Sequence, residues 1–98
     1  MSYSDADIDD AIERLAADIA RRFEQPAFHG PAMAALLDEL RRMESARRAG
    51  DAAGAALLAA SAAPGLDSYR PTNATSRSKA VLAEVVAELQ ADTPPPEP

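Results

Sequence analysis

The 98-residue chain has no cysteine, no tryptophan and one histidine. Without cysteine there is neither a disulfide framework nor a thiolate site for zinc or an iron–sulfur cluster. A single histidine, with no HxxE or ExxH spacing, leaves no transition-metal ligand set, so no metal and no cofactor are expected. Glycine occurs four times and never in a group, which excludes a glycine-rich phosphate loop. Lysine occurs once against nine arginines, and the formal net charge is −6. Binding to a phosphate backbone needs clustered cations, so no nucleic-acid partner is expected. Long apolar runs are missing too. Runs such as Ala55–Ala59 fall far short of a membrane span, so no membrane partner is expected. The N-terminus carries Asp5, Asp7, Asp9 and Asp10 where a secretory signal would be basic, which makes a cytoplasmic location the expectation.

What the chain has in excess is alanine. It supplies 24 of the 46 hydrophobic residues, and arginine outnumbers lysine, a pairing that fits a GC-rich bacterial or phage genome. A chain of this length buries only about 60–65% of its unfolded surface. A thin, alanine-rich core in such a chain implies either low stability alone or help from a partner protein or from self-association.

Helical periodicity dominates. Ser4 is a good N-cap, and Ile8, Ile12, Leu15, Ile19 and Phe23 form one apolar stripe, predicting a helix over about 5–24 that Pro26 ends. Pro31 suits the first turn of a second helix, about 31–49, with Met33, Leu36, Leu37, Leu40 and Met43 as its stripe. Arg41, Arg42, Arg47 and Arg48 lie on it near acids, which reads as a salt-bridged surface, and Gly50 suits its end. Asp51 caps a third helix, about 52–63, in which eight of twelve residues are alanine, and Pro64 and Gly65 are expected to stop it. Residues 65–75 read as irregular. A fourth helix covers about 77–91 with Val81, Leu82, Val85, Val86 and Leu89 on one face, and a Pro-rich tail follows over 93–98. No period-2 alternation occurs. The expected fold is all-α, a small antiparallel bundle of about four helices in a single domain over 1–92.

Three segments invite functional readings. Asp5-Ala6-Asp7-Ile8-Asp9-Asp10 resembles the opening of an EF-hand calcium loop, but Asp10 and Ala16 stand where that loop needs Gly and Glu. An acid-rich helix start explains the same residues. Gly65-Leu66-Asp67-Ser68-Tyr69 is similar to the Asp-Ser-Leu motif of acyl carrier proteins, also small, acidic and four-helical. The resemblance implies a phosphopantetheine arm on Ser68 at the start of a helix. Tyr69 replaces the family's Leu, Pro71 opposes a helix starting there, and a turn is the plainer reading. Ala46 to Ala63 resembles the helix–turn–helix joint of a tetratricopeptide unit, without the repeat's second copy, so an ordinary helical hairpin is expected. His29, in a Pro/Gly turn, is the one candidate general base, and it has no patterned nucleophile beside it. Paired surface acids such as Asp38 and Glu44, or Glu84 and Glu88, read as solvated helix charge.

The sequence therefore points to a non-enzymatic protein–protein interaction module: a regulator, inhibitor, adaptor or accessory subunit. The interface is expected on the fourth helix and the loop before it, at Tyr69, Arg70, Val81, Leu82, Val85, Val86 and Leu89. The alternatives are a homo-oligomeric structural or phage-particle assembly protein and, behind it, an acyl-carrier-like protein modified at Ser68.

Overall fold

The computed structural model describes residues 3–91. It is all-helical: α1 (Asp5–Arg22), a single 3-10 turn (Pro26–Phe28), α2 (Gly30–Arg48), α3 (Ala52–Ser68) and α4 (Ser76–Ala91). The predicted Pro-rich tail lies outside the described residues. Each helix packs on the next, and α4 closes on α1, so the four form a ring around one core. Cross-contacts fix the directions. Arg47 and Arg48 at the end of α2 meet Asp5 and Asp9 at the start of α1, and Glu39 of α2 accepts from Ser61 of α3. Successive neighbours are thus antiparallel, as short connectors require.

Local chemistry sets the ends. Ser4 and Asp7 form a reciprocal capping box, with the Asp7 amide donating to Ser4 Oγ at 3.1 Å. Asp51 accepts from the Gly54 amide at 2.9 Å and opens α3. Between α2 and α3 the Gly50 amide donates to the Arg47 carbonyl and the Asp51 amide to the Ala46 carbonyl. This paired closure needs a left-handed residue, and Gly50 supplies it at φ 81°.

One boundary differs from expectation. Instead of ending at Ala63, α3 continues through Pro64 and Gly65 to Ser68. The bond that proline deletes would have gone to the carbonyl of Ala60, an exposed residue whose carbonyl water can serve. What the extension gains is larger. Gly65 lies so close to α2 that an added Cβ would stand 3.3 Å from Leu36 Cδ1, while Leu66 and Tyr69 become fully buried.

The core takes Ile8, Ile12, Leu15 and Ile19 from α1, and Met33, Leu36, Leu40 and Met43 from α2. From α3 come mainly Ala55, Ala59 and Ala62, which keep the helices close, and from α4 the whole predicted stripe.

Candidate functional site

One end of the bundle is built around a buried acid. Asp18 lies one turn beyond Leu15 on the inward stripe of α1 and is 5% exposed. Arg21 and Arg22 reach back to its two oxygens at 2.5 and 2.7 Å. Tyr69, just past α3, donates to Asp18 Oδ2 at 2.5 Å. A phenol has one proton, so its 2.9 Å contact with Thr75 must be a bond donated by the Thr75 hydroxyl. That hydroxyl itself accepts from the Thr72 amide at 2.9 Å. Donors therefore run in one direction, from Thr72 through Thr75 and Tyr69 to the carboxylate, and join α1 to both ends of the α3–α4 loop.

The electrostatics follow from this relay. Burial alone would push the Asp18 carboxyl up; hydrogen bonds from Tyr69, Arg22 and Arg21 outweigh it and hold the group below the usual carboxylate range. Burial, reinforced by the Asp18 charge, pushes the Tyr69 phenol up to about 12.

Arg22 does more than pair with Asp18. Its Nη1 also donates to the Arg70 carbonyl at 2.8 Å, and its guanidinium lies 4.2 Å above the Phe28 ring. Phe28 and Tyr69 meet edge to face, with centroids 6.3 Å apart. Lys79 on α4 donates to the carbonyls of Tyr69 at 2.7 Å and Asp67 at 3.3 Å, satisfying the end of α3. These groups wall an open cleft of about 810 Å³, with His29 and Met33 also on its lining. His29 itself sits in the left-handed region, φ 58° and ψ 54°, where the 3-10 turn passes into α2.

A second feature is the outer face of α3. No charged residue occurs from Ala52 to Leu66. Leu57 is 73% exposed, and Ala53, Ala60 and Pro64 are exposed along the same side.

The structure corrects the expected interface. Val81, Leu82, Val85, Val86 and Leu89 are 0–7% exposed, and Tyr69 is 1% exposed, because the ring of helices buries the α4 stripe internally. Only Arg70 of that set is on the surface, and only Tyr69 and Arg70 are brought together at the cleft. Of the predicted apolar stripes, Phe23, 40% exposed, and the half-buried Leu37 are the members that stay outside the buried core. Ser68 ends α3 and the next helix opens at Ser76, so the helix start implied by the carrier-protein resemblance is not there. Asp5 and Asp7 lie in the first turn of α1, and no group of three or more potential metal ligands occurs among the described residues. Arg41, Arg42, Arg47 and Arg48 are all ion-paired, as expected of a salt-bridged surface.

Glu44 was expected in solvent and is 4% exposed, held by Arg47 at 2.8 Å and Arg48 at 3.4 Å. Asp18 lies outside the residues that the sequence points to. A shared signal could have found both: Asp18-Ile19-Ala20-Arg21-Arg22 and Glu44-Ser45-Ala46-Arg47-Arg48 each put an acid on the apolar stripe with arginines three and four residues on.

No family model, curated protein or solved structure matches the chain. No described helix is long and apolar enough to cross a membrane.

Proposed function

We propose that this chain works without catalysis, as an interaction module that lays the outer face of α3 into an apolar groove on another protein. The observation that carries this reading is Leu57, 73% exposed at the middle of a fifteen-residue uncharged stretch. Ala53, Leu57, Ala60 and Pro64 follow the spacing by which a helix anchors in a groove. Small residues on both sides of the leucine let a partner approach the backbone closely. The net charge of −6 favours a groove with a basic rim.

A different protein is favoured over a second copy on area. A helix of 17 residues is about 25 Å long, and a flat strip of that length falls short of the roughly 800 Å² per partner of a stable interface. A groove that wraps three sides of the helix covers more.

The test is capture on immobilised protein from the host extract, with wild type and Leu57→Asp side by side after both are shown to fold. Sedimentation equilibrium runs in parallel. The expected result is a heterologous protein retained by wild type and lost with Leu57→Asp, and a monomer in sedimentation. Equal retention by the two, or a dimer that Leu57→Asp dissolves, overturns the reading.

A further inference from the structure

We infer that the cleft beside Asp18 is a binding site for a small organic anion, a carboxylate or phosphate, held by Arg70, Lys79 and His29. This is independent of the α3 surface.

The first ground is a charge census. Seven of the ten cationic side chains are ion-paired with carboxylates. Among the described residues Arg70, Arg77 and Lys79 have no carboxylate partner, and two of those three line this cleft. Arg22 there is already paired with Asp18, so Arg70 and Lys79 are the two uncompensated cations, and they face one lining carboxylate, Asp67, in a chain whose net charge is strongly negative. An acidic protein that concentrates its unneutralised cations in a concavity attracts anions to that place.

The second ground is preorganisation. Arg22 uses Nη1 for Asp18 and the Arg70 carbonyl, which leaves its Nε and Nη2 protons without an acceptor among the described residues. Lys79 has three protons and spends two on carbonyls. Both heads are therefore fixed, each with donors to spare, which lowers the ordering cost of binding. Arg70 stands exposed at the mouth, and its side chain has no hydrogen-bond partner among the described residues.

The third ground is strain. His29 is the only non-glycine residue with positive φ among the described residues, it is exposed, and it lies on the cleft. Glycine would serve the turn at lower conformational cost. His29 instead places an imidazole side chain on the cleft's lining.

The test is amide and arginine side-chain NMR with the intact chain, titrated separately with inorganic phosphate and with benzoate, against sodium chloride at matched ionic strength. The account predicts saturable shifts at His29, Ser68, Tyr69 and Arg70 with at least one of the two anions and none with chloride. The responding anion assigns the head group. Arg70→Ala should weaken binding about tenfold, the loss of a charge-assisted hydrogen-bond pair, while Arg77→Ala leaves it unchanged. His29→Gly should weaken binding with the melting temperature held or raised. Shifts that never saturate, shifts matched by chloride, or equal losses in Arg70→Ala and Arg77→Ala overturn the site. Full affinity in His29→Gly overturns the part given to the histidine.

Discussion

α3 and α4 are both rich in apolar residues and treat them in opposite ways. On α4 the large side chains Val81, Leu82, Val85, Val86 and Leu89 fall on one side and are all buried, while Arg77, Glu84 and Gln90 take the outside. On α3 two apolar lines with the same spacing run along different sides. Ala55, Ala59, Ala62 and Leu66 are buried, and Ala53, Leu57, Ala60 and Pro64 are bare. The apolar content of a helix therefore says little about its surface. What decides is whether charged residues close the outer side. α4 is closed and structural; α3 is open.

The strongest way to break this contrast is a charge in the middle of α4. Val85→Asp puts an unpaired carboxylate at a fully buried position and should cost more than about 4 kcal/mol, enough to unfold a marginal domain. A folded Val85→Asp in circular dichroism would show that the α4 face is not core. Next comes the anchor that ties α1 to the α3–α4 loop. Asp18→Ala strands Arg22, whose side chain is only 16% exposed, and should cost about 3 kcal/mol in denaturant unfolding. Tyr69→Phe removes one relay member and should cost about 1–2 kcal/mol.

The relay also predicts a pH response. The folded phenol of Tyr69 lies at about 12, above the usual value near 10. A raised folded pKa gives stability that is fully present below pH ~10 and lost as pH rises toward about 12. For Asp18 the folded pKa is lowered, so its contribution holds above the ordinary carboxylate range and is lost only in stronger acid. Alkaline unfolding curves of wild type and Tyr69→Phe should converge between pH ~10 and 12; a constant gap would deny the buried phenol. The smallest effect belongs to α3. Leu57→Asp should change stability by no more than about 0.5 kcal/mol, since the side chain is already in water.

Much of the fold was legible because stripes and caps are local. The four helices, the Ser4 and Asp51 caps and Gly50 all read directly from spacing. The extension of α3 past Pro64 did not, because its cause is burial of Leu66 and Tyr69 against distant helices, which outweighs a local helix breaker. The site was less legible. Tyr69 and Arg70 stood out by residue type, but Asp18 was hidden as one acid among sixteen, and its partner Tyr69 lies 51 residues away. The α4 interface failed for a simple reason: a broad apolar stripe is what both a core face and a docking face look like in one dimension.

Site-specific photo-crosslinking in host extract tests the central claim most directly. With the crosslinker at position 57, the account predicts a discrete adduct with one other protein, absent when the crosslinker replaces the exposed Arg42 and lost when Ala53→Asp is added. The same adducts from both positions, or none from position 57, would contradict the claim that the open face of α3 is where this protein acts.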